Sequence, residues 1–291
     1  MFIIRKIWYI ITLPLLIITL LTSPVAESTE TAELVSKNLF AVEKALIAGQ
    51  GIATDGEYYY TSGSISALNF TALAKFTFDD LEIVDTNINP LPEICSDRGN
   101  NHIGGISVYN GKIYASVEDG DDYLYPCIVV FDCETLEATG EIYELPRDIY
   151  DDGVPWCAVE GETGYLYASK WNDIEKIYVY DINNSMSFVK EIDLCGIEKI
   201  HRIQGGEFWN GKLYLSNDIE DNGNFKNIIS VNIENGETAI AAIRDVGGNN
   251  VEAEGLTFYP DKNGAVMHVL DYNKAIGVFL HHYNVNFEEI N

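Results

Sequence analysis

The chain has 291 residues, with 45 Asp and Glu against 18 Lys and Arg, for a formal charge of −27. Such a surface repels phosphate backbones and anionic bilayers, which argues against nucleic acid and membrane surfaces as partners. It favours divalent cations wherever carboxylates converge.

At the N-terminus, Arg5 and Lys6 precede the apolar run Trp8–Leu21, and small residues follow around Ser23–Ala26. That pattern is a secretory signal peptide over residues 1–26, and the run falls short of the roughly 20 apolar residues a membrane span needs. The expected location is therefore secreted, with no membrane association after cleavage. Residues 27–37 read as an acidic lead segment, and residues 38–291 as a single domain expected to be a monomer.

Beyond the lead, one phrase recurs five times: a short apolar strand, a tight turn, and a second strand carrying an aromatic. Its copies span Gly51–Ser62, Gly105–Ser116, Cys157–Ser169, Gly205–Ser216 and Gly255–His268. Taking Ile52, Ile106, Ala158, Gly206 and Leu256 as equivalent gives steps of 54, 52, 48 and 50 residues. A period near 50 with alternating strands and no long helix predicts an all-β β-propeller. Each repeat continues into two further strands, as in Cys127–Asp132 and Gly140–Leu145. The expected architecture is five four-stranded blades, with six as the alternative. The fifth repeat runs short of strands. Asn38–Leu46 is the expected closing strand, which would remove an exposed edge, and Val285–Ile290 is its rival.

In a propeller the first strand of each blade lines the central channel. Alternation places Gln50, Gly104, Trp156, Gln204 and Glu254 at one level of its mouth, with Ala48, His102, Val154, Arg202 and Glu252 two residues earlier. Between them and the strands lie Gly51, Gly105, Cys157, Gly205 and Gly255, where Gly lets backbones crowd the axis. Gln50, His102, Trp156, Arg202, Gln204 and Glu252 are the candidate ligand-binding residues. The oxygen donors Glu254, Glu252, Gln204 and Gln50 are of the type Ca²⁺ accepts, so Ca²⁺ is a candidate cofactor. The five cysteines, Cys95, Cys127, Cys133, Cys157 and Cys195, leave an odd thiol in an oxidising compartment. A Cys127–Cys133 disulfide is open on sequence grounds, and Cys157 reads as a buried, inert thiol. Asn69 and Asn183 head sequons.

The phrase Glu252-Ala253-Glu254-Gly255-Leu256-Thr257 resembles the Glu-Gly-Leu/Ile opening of calcium-dependent propeller hydrolases of the gluconolactonase/strictosidine-synthase-like and esterase-like phytase types. The resemblance implies that Glu254 is a metal ligand. The metal would then polarise a carbonyl and activate water, with His102 as general base. The leading expectation from the residues themselves is recognition of an extracellular ligand (saccharide, peptide or protein) at the mouth. A Ca²⁺-dependent lactonase or esterase and a protein-interaction scaffold are the alternatives.

Overall fold

The computed structural model describes residues 30–287, apart from 121, 220–224 and 249. The signal peptide expected at 1–26 lies outside the described residues.

Two short strands open the described chain, β1 (Glu30–Thr31) and β2 (Glu33–Leu39), followed by a helical turn at Val42–Ile47. Blade 1 comprises β3 (Ile52–Thr54), β4 (Tyr58–Ile65), β5 (Phe70–Thr77) and β6 (Ile83–Ile88). Blade 2 comprises β7 (His102–Tyr109), β8 (Lys112–Glu118), β9 (Cys127–Asp132) and β10 (Ala138–Glu144). Blade 3 comprises β11 (Trp156–Glu160), β12 (Tyr165–Ser169), β13 (Lys176–Asp181) and β14 (Ser187–Asp193). Blade 4 comprises β15 (Ile203–Trp209), β16 (Lys212–Asn217), β17 (Phe225–Val231) and β18 (Thr238–Gly247). Blade 5 comprises β19 (Val251–Phe258), β20 (Met267–Asn273) and β21 (Gly277–Asn284), with β2 as its outermost strand. The count is thus five, and the six-bladed alternative falls.

The N-terminal closure places the lead segment inside the propeller. β2 pairs antiparallel with β21 from Glu33↔Asn284 to Leu39↔Phe279. The closing strand begins at Glu33 rather than at Asn38, and most of the expected Asn38–Leu46 strand is instead the Val42–Ile47 turn. Residues 285–287 form no strand. β1 adds a parallel edge to β18 of blade 4.

Local chemistry explains the meander. β7–β8 and β15–β16 turn at Asn110-Gly111 and Asn210-Gly211, whose φ values are +50, +74, +49 and +77°. The flanking pairs are Tyr109↔Lys112 and Trp209↔Lys212. A two-residue hairpin with both residues left-handed matches strand twist, and Asn-Gly is the pair that adopts it at least cost. In the fifth blade Leu256 faces Val269. The recurring phrase therefore lies at His268–Leu270 there, rather than ending at His268.

The ring of glycines is a close approach of backbones. A Cβ on Gly51 would sit 2.7 Å from Gly104 O, and one on Gly255 would sit 2.6 Å from Ile52 N. The recurring serine ties the ring together: Ser62 Oγ accepts from Gly51 N at 2.7 Å and donates to Gly104 O at 2.6 Å, while Ser116 Oγ donates to Gly105 O at 2.9 Å. Between blades the core is apolar, as where Tyr60 and Leu73 of blade 1 meet Ile113, Val129 and Phe131 of blade 2. Each such side chain contributes about 1.5–3 kcal/mol on burial.

Candidate functional site

The innermost strands all begin at one end of the channel. Three of them carry a register shift just inside that end, at Ile103/Ile106, Ile203/Gly205 and Ala253/Leu256. Bulges re-aim side chains. They fall between the glycine ring and the mouth residues His102, Arg202 and Glu252, so simple alternation no longer fixes where those three point.

On one side of the mouth, His102 opens β7 opposite Glu118, the last residue of β8. Its Nε2 lies 2.8 Å from Gln50 Oε1, and its Nδ1 lies 3.5 Å from Glu118 Oε1. The other Glu118 oxygen accepts from Val154 N at 2.5 Å. Residues of blades 1 and 2 and the approach to blade 3 are thereby linked in one chain. Glu118 is buried, while Gln50 and His102 keep part of their surface.

On the other side, Asp218 is the hub. It accepts from Arg202 Nε at 3.1 Å and Nη2 at 2.5 Å, from Lys226 Nζ at 2.5 Å, and from Ala253 N at 2.9 Å. Asp218 and Lys226 are fully buried. Arg202, at φ +58°, lays its guanidinium over the Trp171 ring, 4.9 Å from the centroid, and its N–H donates to Trp171 O at 2.7 Å. Trp171 is fixed in turn by Asp152, which accepts from Trp171 N at 2.9 Å and Asn172 N at 2.8 Å. The indole remains half-buried. Glu252 pairs with Lys274 at 2.8 Å, and its cross-strand neighbour Tyr272 is exposed. The Gln204 side chain is half-exposed and makes no hydrogen bond among the described residues.

The sequence-derived candidates thus divide. Gln50 and His102 meet directly, and Arg202 joins them at the mouth through its own network. Glu252 sits in an ion pair and Gln204 stands alone. Trp156 is withdrawn: it is wholly buried, its Nε1 donates to Ser169 Oγ at 3.0 Å, and its ring fills the space beside Gly206. The aromatic groups presented at the mouth are Trp171 and Tyr272. Glu118, Trp171, Asp218 and Tyr272 were not singled out from the sequence, yet a signal was there. Each lies two residues beyond the recurring serine or its equivalent at Ser116, Ser169, Ser216 and Leu270, so they form one repeat position. The repeat thus extends past the first strand of each blade to the end of the second.

Glu254 is buried to 2% exposure. Burial holds its pKa well above the usual carboxylate range, Glu252, Asp218 and Asp271 add to this, and only Arg202 opposes it. Asp271 beside it is the reverse. Burial alone would raise it, but the Arg244 charge and bonds hold it below its ordinary value, with the guanidinium bidentate at 2.7 and 2.8 Å. Further down the axis, burial pushes Glu207 up to about 8. The Cys157 thiol is buried and raised, chiefly by desolvation.

A calcium ion needs several oxygen ligands, charged carboxylates among them, converging on one point. Among the described residues no three His, Cys, Asp or Glu side chains group in that way. The oxygens of Asp218 are committed to Arg202, Lys226 and a backbone N–H.

No family model matches the chain, and no curated protein sequence does. Solved structures are similar in fold. The exo-beta-1,3-galactanase of Phanerochaete chrysosporium, solved with beta-1,3-galactotriose, superimposes at a TM-score of 0.55 with 11% identity, over 89% of this chain and 65% of that one. The native arabinanase of Bacillus subtilis superimposes at 0.52 with 14% identity, over 86% of this chain and 96% of that one. These likenesses show the propeller. They do not single out the lactonase-like or phytase-like group.

Proposed function

We propose that this chain is an exported β-propeller that binds a saccharide at the mouth of its central channel. The observation that carries the reading is the half-buried Trp171 ring, which lies under the Arg202 guanidinium while its backbone N–H is held by Asp152. A fixed aromatic face offers apolar area at low entropic cost, and side-chain amides and a guanidinium supply orienting hydrogen bonds. Charge supports the same ligand class. The charges there are largely paired, with Arg202 and Lys226 on Asp218, Lys274 on Glu252 and His102 on Glu118, on a strongly acidic protein. A neutral polyhydroxy ligand suits that field better than a peptide of either charge. The saccharide-degrading names of the two propellers above agree with this class.

The test is calorimetric titration with arabino- and galacto-oligosaccharides. Binding is expected, weakened about 10-fold or more by Trp171→Ala, the loss of roughly 1.4 kcal/mol of stacking and contact area. Absence of binding by wild type, or full affinity in Trp171→Ala, rejects the reading.

A hydrolytic role for the same site draws support from one feature. Glu254 is a buried carboxyl whose pKa is held well above the usual carboxylate range, and His102 has Glu118 behind it, the pairing of acid and base that glycoside or ester cleavage uses. Release of reducing sugar that disappears in Glu254→Gln while binding persists would establish it. Binding without release would leave the propeller as a recognition module.

A further inference from the structure

Cys95 lies in the short helix Glu93–Asp97, and Cys127 opens β9. They come from separate elements, yet both are buried, at 1% and 2% exposure, in one core cluster. Each thiol acts on the other: Cys127 lowers the pKa of Cys95, and Cys95 raises that of Cys127. Asn100 holds the pair from both sides: its N–H donates to Cys95 O at 3.0 Å, and its Nδ2 donates to Cys127 Sγ at 3.4 Å. The remaining thiols are elsewhere. Cys133 follows the far end of β9, where it meets Tyr60. One strand of six residues separates it from Cys127, about 20 Å, far beyond the 7 Å Cα limit of a disulfide. The Cys127–Cys133 bridge left open by the sequence is therefore ruled out. Cys157 sits at the axis, and Cys195 is exposed.

We propose that Cys95 and Cys127 are a redox pair that closes to a disulfide when the chain folds in an oxidising, glutathione-buffered compartment. The chemistry is two successive exchanges. The Cys95 thiolate attacks one sulfur of glutathione disulfide, forms a mixed disulfide and expels one glutathione thiolate. The Cys127 thiolate then attacks Cys95 Sγ, forms the Cys95–Cys127 bond and expels the second. Two protein thiols are oxidised, one glutathione disulfide is reduced, and the two protein protons pass to the departing thiolates. As the native arrangement forms, Cys95 is the first nucleophile, because Cys127 and Arg98 hold its thiol below the ordinary value against the effect of burial. Cys127 is held above its ordinary value by Cys95 and by burial.

The bond would matter to the mouth. The loop it closes contains Asn100, His102 and Glu118, so the bridge would anchor the segment that presents His102. A loop of this size is stabilised enough to raise Tm on the order of 5–10 °C.

The full-length mature chain, refolded in a reduced/oxidised glutathione buffer, is expected to lose about 2 Da relative to the reduced chain. It should yield a peptide linking Cys95 to Cys127, and melt higher than the same sample held in reductant. Cys95→Ser and Cys127→Ser should each abolish the link and the Tm gain, while Cys133→Ser keeps both. Five alkylatable thiols after that refolding, or a link that uses Cys133, Cys157 or Cys195, overturns the proposal. Refolding exposes the buried thiols to the probe, so a negative result cannot be ascribed to their burial.

Discussion

At the scale of single residues, the buried His268–His282 pair and the half-buried Glu207 set opposite limbs of the stability profile. His268 Nε2 donates to Tyr259 O at 2.8 Å, so its Nδ1 must accept from His282 Nδ1, 2.7 Å away. Both rings are buried, and that pair holds together only while His268 is neutral. Burial lowers both rings, and His268 helps press His282 down to about 4, with Asp261 opposing. For a depressed base, stability is fully present above the unfolded value of 6.5 and is lost as pH falls toward about 4. The loss at His282 is on the order of 3 kcal/mol. Glu207 runs the other way. Its folded value of about 8 lies above the ordinary 4.5, so its contribution is complete below 4.5 and is lost as pH rises through 8. Differential scanning calorimetry from pH 4 to 9 should show Tm falling at both ends. His282→Asn should flatten the acid limb and Glu207→Gln the alkaline one. An unchanged profile in either variant would mean that the group does not titrate as its surroundings dictate. Neither behaviour could be read from the sequence. The histidine pair depends on which side chains the β20–β21 register sets face to face, and Glu207 on how far β15 is desolvated, neither of which a five-fold repeat reveals.

Elements are joined at the mouth by charge rather than by apolar packing, and Asp218 carries most of that load. It follows β16, takes Lys226 from β17, Arg202 from the approach to β15, and the Ala253 N–H of β19 in the next blade. Removing one partner of a buried ion pair strands the other charge, which costs about 3–5 kcal/mol. Asp218→Ala is therefore expected to destabilise by that amount in chemical denaturation, because Lys226 is left in a dry interior. Asp218→Ala with Lys226→Met should recover much of the loss, since no charge remains uncompensated. A double variant no better than the single one would show that Asp218 acts through Arg202 and the blade 5 backbone instead. The elements themselves were legible. Ser62 and Ser116 bond the backbone of the inner strands and Ser169 the Trp156 indole, while Ser216 Oγ is buried without a hydrogen bond, and Gly51, Gly205 and Gly255 recur where a Cβ would meet backbone under 3 Å away. The mouth was legible only in part. Bulges beside the glycine ring break the two-residue period on which placement of His102, Arg202 and Glu252 relied, and Trp156 turned inward into the gap left by Gly206.

The whole molecule is a ring, so its stability depends on how the ring is shut. Equal spacing of the repeats made five blades readable, and the shortage of strands in the last repeat showed that the N-terminal segment must complete it. The exact strand was less readable. Both Glu33–Leu39 and Asn38–Leu46 hold apolar residues, and the choice fell to pairing: β2 runs its whole length against β21, while Phe40 continues with its N–H donating to Val278 O at 2.9 Å. Its side chain then enters the core between blades 5 and 1, stacked on Phe76 at 5.7 Å between centroids. Asn38 also meets His282 at 2.9 Å, so the closing strand touches the histidine pair. Deleting residues 33–40 removes one edge of blade 5, exposes the backbone groups of β21 and empties a Phe site in the core. The Phe40 cavity alone costs about 3–5 kcal/mol, and the bared edge is a template for pairing with another chain. The truncated protein is expected to melt at least 10 °C lower and to aggregate on size-exclusion chromatography. A peptide of residues 30–41 added in trans should restore the monomer peak, because donor-strand pairing needs only the free edge. A monomeric truncation with unchanged Tm would show that the ring holds without its clasp.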